Sequence, residues 1–124
     1  MTTPLALITE DEAALRVIYE RVLRSLGFEV LHARDGGQAI EILNEHVPDL
    51  LVLDMLMPMV NGEAVLKHIA GQPRLVNMHI VIASSAKEYE VYTQTFVSCE
   101  FLLKPLSAQQ IREIGMRVLT TRAT

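Results

Sequence analysis

The chain has a single cysteine, no tryptophan, three tyrosines and three phenylalanines among 124 residues. The lone thiol, Cys99, excludes an internal disulfide and suits a reducing compartment; it reads as a small core residue. No apolar run approaches the roughly 20 residues needed to cross a bilayer. The N-terminus, "MTTPLALITEDE", has no basic flank ahead of its short apolar run and then meets three acids, so neither a signal peptide nor a membrane span is expected. Positive charge is scarce as well: eleven Lys and Arg against fifteen Asp and Glu give a net charge of −4. No basic cluster stands out, which leaves no electrostatic footprint for nucleic acid. These absences make a cytoplasmic location the default and disfavour direct contact with DNA or membrane.

What the chain does have is apolar substance. Half its residues are hydrophobic, enough for a single domain over 1–124, with a core from about 5 to 119, that needs no staples. Five short apolar runs recur: "LALIT" (Leu5–Thr9), "FEVLHA" (Phe28–Ala33), "DLLVLD" (Asp49–Asp54), "HIVIA" (His79–Ala83) and "EFLL" (Glu100–Leu103). Helical patterns separate them. The first places Leu15, Ile18, Val22 and Leu26 on one stripe and stops at Gly27. The second carries Ala39, Ile40 and Leu43 and ends before Pro48; the third carries Val65, Leu66 and Ile69 and ends near Gly71. The last opens on "SAQQ", where Ser107 and Gln110 form a capping box, and buries Ile111, Ile114 and Val118. Such alternation of strand and helix predicts an α/β fold, a parallel sheet covered on both faces. No repeat, linker or low-complexity segment interrupts it.

In such a sheet the ligand site lies beyond the carboxyl ends of the strands, and polar residues gather there. Glu10 and Asp11 follow the first run, Asp54 closes the third, Ser84 and Ser85 follow the fourth, and Lys104 and Pro105 follow the fifth. Three carboxylates on one spot repel each other unless a cation joins them, and oxygen donors of this kind suit Mg²⁺. Beside such an ion an aspartate can attack a phosphoryl group to give an aspartyl phosphate. A lysine and a hydroxyl, here Lys104 and Ser84, would hold the remaining phosphoryl oxygens.

Each residue also has a plainer reading. Asp54 alone could cap a turn or helix, and Glu10 and Asp11 could complement the first helix dipole, the role assigned to Glu12. Lys104 could be a solvated side chain, and Ser85 leaves the register of Ser84 open by one. The alternation Met55, Met57, Met59 could suggest Cu(I) ligands, but adaptable packing is the expected use. His32, His46, His68 and His79 lack ligand spacing and receive no metal role.

"TEDE", "DMLMPMVNG", a serine after the fourth strand and "FLLKP", in this order, resemble the receiver domains of two-component response regulators. The resemblance implies a flavodoxin-like, doubly wound five-stranded sheet of order 2-1-3-4-5. It makes Asp54 the phospho-acceptor, Glu10 and Asp11 the acidic pair with Asp11 a direct Mg²⁺ ligand, and Leu56 a ligand through its backbone carbonyl. It makes Ser84 and Lys104 the phosphoryl partners, Ser84 and Phe101 the switch residues, and Pro58 and Gly62 the turn into the third helix. The implied partners are a histidine kinase or histidine phosphotransfer protein, an undefined downstream protein, and a phosphorylation-dependent homodimer. The resemblance implies no enzyme beyond the chain's own phosphorylation and dephosphorylation.

Three departures, Thr9 before the acidic pair, Leu106 after "KP" and "SCEF" before the switch aromatic, bear on output more than on phosphorylation. The segment "AKEYEVYTQTFVSC", Ala86–Cys99, is rich in β-branched and aromatic residues and predicts a weak, short fourth helix. An aspartate-nucleophile phosphatase of the haloacid dehalogenase type would need a second Asp where Leu56 stands, and a receiver-like binding module without chemistry would not need all four of Asp11, Asp54, Ser84 and Lys104. The chain ends at "LTTRAT", just after the last helix pattern, so no output domain is expected to follow; a stand-alone regulator and one domain of a longer protein both fit.

Overall fold

Strands that are apolar on both sides must be covered on both sides, and the chain folds accordingly. In the computed structural model, which describes residues 2–57 and 59–123, five parallel strands pair in the order β2-β1-β3-β4-β5. They are β1 (Leu5–Thr9), β2 (Glu29–Ala33), β3 (Leu50–Asp54), β4 (His79–Ser84) and β5 (Cys99–Leu103). The central strand β3 is buried at every position, whereas the edge strands β2 and β5 are partly exposed. This is the doubly wound, flavodoxin-like sheet expected from the sequence.

Alternate residues of each strand feed two separate cores. Leu7, Leu51, Leu53, Ile80 and Ile82 pack beneath α2 (Gly36–Glu45) and α3 (Gly62–Ala70). Ala6, Ile8, Leu50, Val52 and Val81 pack beneath α1 (Ala13–Ser25) and α4 (Ala108–Ala123). Full burial of each Leu, Ile or Val is worth about 1.5–3 kcal/mol, so the strand interiors dominate the hydrophobic stabilisation.

Helix ends follow the sequence signals. Asp35 caps α2 by accepting from the Gln38 amide at 2.9 Å, and Asn61 caps α3 by accepting from Ala64 at 3.2 Å. The capping box of α4 forms: Gln110 N donates to Ser107 Oγ at 3.0 Å and Ser107 N donates to Gln110 Oε1 at 2.9 Å. Gly27, at φ +98°, turns the chain out of α1 in a left-handed conformation that side chains disfavour.

Three expectations need correction. The buried face of α1 centres on Tyr19 and Leu23, with Leu15, Val22 and Leu26 packed at its flank, while Ile18 is 43% exposed. Met55 and Met57 do pack into the core, but Met59 is 92% exposed at φ +65°. Glu12 stands at the N-cap of α1 without a side-chain cap bond; Glu10 Oε2 instead accepts from the Glu12 amide at 3.2 Å.

The segment expected to form a weak fourth helix is a 3-10 helix, Lys87–Gln94, with no buried residue. Tyr89 and Tyr92 stack on it with ring centroids 6.3 Å apart. A further single 3-10 turn, Pro73–Leu75, leads into β4. At the opposite end of the sheet, Arg122 of α4 bonds Asp49 Oδ1 at 3.2 Å, Thr2 Oγ1 at 2.7 Å and the Thr2 carbonyl. Asp49 Oδ2 in turn accepts from the Leu5 amide at 2.8 Å.

Candidate functional site

Parallel pairing sets the carboxyl ends of β1, β3, β4 and β5 side by side, and this alone brings distant acids together. Glu10 follows β1, where its amide donates to the Ala33 carbonyl at 3.1 Å and draws the residue inward to 1% exposure. Asp54 ends β3 at 2% exposure, in register with Ala83. Asp11 is exposed at the rim. One oxygen each from Glu10, Asp11 and Asp54 lies within 4.8 Å of the others, the grouping of possible metal ligands found among the described residues.

Lys104 reaches this cluster from the end of β5. Its Nζ lies 3.0 Å from Asp54 Oδ2 and 3.0 Å from Glu10 Oε1, and its side chain is 17% exposed. The Lys104 amide donates to the Ser84 carbonyl at 3.0 Å, and a cis peptide joins Lys104 to Pro105. Burial pulls the Lys104 ammonium down, but its bonds to Glu10 and Asp54 outweigh burial and hold it above the ordinary lysine value.

Glu10 is driven the other way. Burial, reinforced by the nearby Asp54 charge, pushes its carboxyl up to about 7 against the opposing bonds from Lys104 and the Glu12 amide. Three carboxylates against one ammonium leave negative charge uncompensated in a confined space. A compact divalent cation with oxygen preference is the complement of such a donor set, so the residues present fit Mg²⁺.

Ser84 is fully buried at the end of β4 and accepts from the Ala86 amide at 3.0 Å, whereas Ser85 is exposed. The strand register therefore favours Ser84 of the two. Phe101, opposite Ile82 in β5, is half-buried against the core under α2 and α3. The Leu56 amide donates to Asp54 Oδ1 at 3.1 Å, folding the chain after Asp54 back over it, and the Leu56 side chain is 50% exposed. Pro58 lies outside the described residues. Gly62 meets the expected close approach: a Cβ there would stand 2.6 Å from Met55 Sδ and 2.7 Å from Met55 Cα.

One contributor had no place among the sequence-based expectations. Arg16, one turn into α1, donates from Nη1 to the Glu10 carbonyl at 2.9 Å and fixes the backbone of the acidic pair; a basic residue shortly after "EDE" was its only signal. The hydroxyl of Thr9, one residue before Glu10, is buried with no hydrogen-bond partner among the described residues, at an energetic cost of about 1–3 kcal/mol.

Comparisons with known proteins agree with this geometry. The chain is 31% identical over 105 residues to the transcriptional regulatory protein PrrA of Mycobacterium tuberculosis, covering 85% of this chain and 45% of that protein. It is 31% identical over 108 residues to the chemotaxis protein CheY of Bacillus subtilis, covering 86% and 90%. The chain thus spans about half the length of PrrA and most of CheY. Among solved structures, the receiver domain of AraT from Geobacillus stearothermophilus superposes with a TM-score of 0.82 at 26% identity, covering 99% of this chain and all of that one. CheY4 of Vibrio cholerae shares the fold with a TM-score of 0.83 at 22% identity, covering 94% and 99%. The sequence model of the response regulator receiver domain matches residues 6–115, and the chain belongs to that family.

Proposed function

We propose that Asp54 accepts a phosphoryl group from a phosphohistidine on a sensor kinase or phosphotransfer protein, and that the chain thereby switches a surface read by another protein. The observation that supports this most strongly is the placement of Lys104 between Asp54 and Glu10 at 3.0 Å from each. A carboxylate oxygen of Asp54 attacks phosphorus, the P–N bond to the donor imidazole breaks, and the freed imidazole keeps the electron pair and takes up a proton. Lys104 and the Ser84 hydroxyl are the protein groups suited to the transferred phosphoryl oxygens.

Glu10, Asp11, Asp54 and the Leu56 carbonyl would hold Mg²⁺. When bound, the ion offsets the negative charge on the transferring group. Asp11, exposed at the rim, is free to meet the ion directly, whereas Glu10 is already engaged by Lys104.

A relative named a sensor histidine kinase, TmoS of Ectopseudomonas mendocina, is 28% identical over 111 residues, with the chain covering 88% of itself and 11% of that protein. Such a relative supports a phosphohistidine donor. Among the described residues no helix is long and apolar enough to cross a membrane, which supports action in the cytoplasm. Ser84 and Phe101 would carry the phosphorylated state to the Lys87–Gln94 segment.

Incubation with acetyl phosphate and Mg²⁺ followed by intact mass tests the reading. A Mg²⁺-dependent phosphoryl adduct on Asp54, absent in Asp54→Asn, is expected. An undiminished, stable adduct in that variant would overturn the assignment. Asp11→Ala should weaken Mg²⁺ binding far more than Glu12→Ala, and equal losses would sink the ligand role of Asp11.

A further inference from the structure

A second chemical cluster sits at the opposite end of the sheet from Asp54, where β4 and β5 begin. His79 opens β4, Ser98 immediately precedes β5, and Glu100 is the second residue of β5. Backbone pairing holds the three together: the Ile80 amide donates to the Ser98 carbonyl at 3.0 Å. His79 Nδ1 lies 2.5 Å from Ser98 Oγ, and His79 Nε2 lies 2.6 Å from Glu100 Oε2. Arg117 of α4 clasps both Glu100 oxygens, at 3.0 and 2.9 Å.

The proton positions follow from chemistry. The bond from His79, with help from Arg117, holds the Glu100 carboxyl down at about 2 against burial. It is ionised at neutral pH and can only accept. Nε2 of His79 must therefore carry the proton shared with Glu100, and in the neutral ring Nδ1 is left to accept from the Ser98 hydroxyl. The three residues supply the serine, base and orienting carboxylate that activate a hydroxyl nucleophile, with the ring nitrogens exchanged relative to the serine-protease triad: Nδ1 faces the serine and Nε2 the carboxylate. Ser98 and His79 face a cleft of about 790 Å³, whose other walls include the apolar Val97 and Met116 and the donors Asn77 and Arg117.

We infer that Ser98 is an activated nucleophile and that this cleft takes small carboxylic esters with an apolar acyl chain. Ser98 Oγ bonds the carbonyl carbon while its proton passes to His79 Nδ1. The ester C–O bond then breaks, and the departing alkoxide takes that proton from His79. Water attacks the acyl-serine by the same proton path, releasing the carboxylic acid and restoring Ser98. Asn77 and Arg117 are the donors in the cleft for the carbonyl oxygen, and Val97 and Met116 offer the acyl chain an apolar wall. The inference is independent of phosphorylation at Asp54.

The full chain incubated with p-nitrophenyl butyrate should release p-nitrophenolate and carry a butyryl group on the peptide containing Ser98. Ser98→Ala should abolish that adduct, and His79→Gln should slow its formation by about 100-fold or more, the usual worth of a general base. Unchanged acylation in Ser98→Ala, or an adduct that maps to Cys99, would overturn the inference. The unaltered chain gives a second reading without any substitution: a fluorophosphonate should label Ser98, and labelling absent from Ser98 would equally overturn it.

Discussion

Tyr92, on the outer 3-10 helix, donates its phenolic proton to Glu63 Oε2 on α3 at 2.7 Å. This contact bridges a groove whose walls include Leu66, Ala70 and Phe96. With no fully buried residue, the segment is held mainly by this contact and by the partly buried Tyr89, Tyr92 and Phe96 against the core, so it belongs to the low-stability end of the fold. Tyr92→Phe is expected to speed amide exchange over residues 86–99. Beryllofluoride, a phosphoryl mimic, is expected to change the exchange of the same amides, and identical full protection with and without it would exclude the segment as the switch.

Lys104 is the counter-charge for two carboxylates that are almost wholly buried. Lys104→Met is expected to cost about 3 kcal/mol in a urea titration without metal, because removing one partner of a buried ion pair strands the other. The same variant should gain more from Mg²⁺ than the wild type does, read as a larger rise in Tm, since the cation then meets negative charge that no ammonium offsets.

Gly62→Ala places a methyl group against Met55, whose own neighbour is Asp54, the proposed acceptor. Overpacking of this kind costs about 1–3 kcal/mol. Chemical denaturation should register that loss, with a lowered rate of phosphorylation as the β3–α3 turn shifts.

The Glu100 network makes a pH-dependent contribution to stability. The folded carboxyl titrates near 2, below its ordinary value of 4.5, so the contribution is fully present above about pH 4.5 and is lost as pH falls toward 2. Glu100→Gln should therefore be less stable than the wild type at neutral pH, and the gap between the two should narrow across that acid range. Parallel thermal melts would check it.

Much of this was readable from residues alone. Strands buried on both faces carry their signal as unbroken Leu, Ile and Val, and parallel strands put their carboxyl ends on one edge, so Glu10, Asp11, Asp54, Ser84 and Lys104 could be gathered without coordinates. Tyr19 escaped because its hydroxyl removed it from an apolar stripe, although its ring is fully buried and Ile18 beside it is not. Met59 escaped because a positive φ in a turn breaks the pattern by which neighbouring methionines face inward. The Ser98, His79 and Glu100 grouping had no local signal: His79 meets its partners 19 and 21 residues away through strand register. The 3-10 conformation of Lys87–Gln94 was anticipated only as weakness, since propensity says what a segment resists and not what it adopts.

Arg122 fastens Thr2 to Asp49 at the edge of the sheet remote from Asp54. The beginning and end of the folded chain are thus neighbours, which is the geometry that circular permutation requires. A short Gly-Ser bridge across this point, with new ends opened in an exposed loop away from the acidic cluster, should leave every strand pairing intact. An affinity tag or fluorescent reporter attached at either end of this chain would stand a full strand length from Asp54.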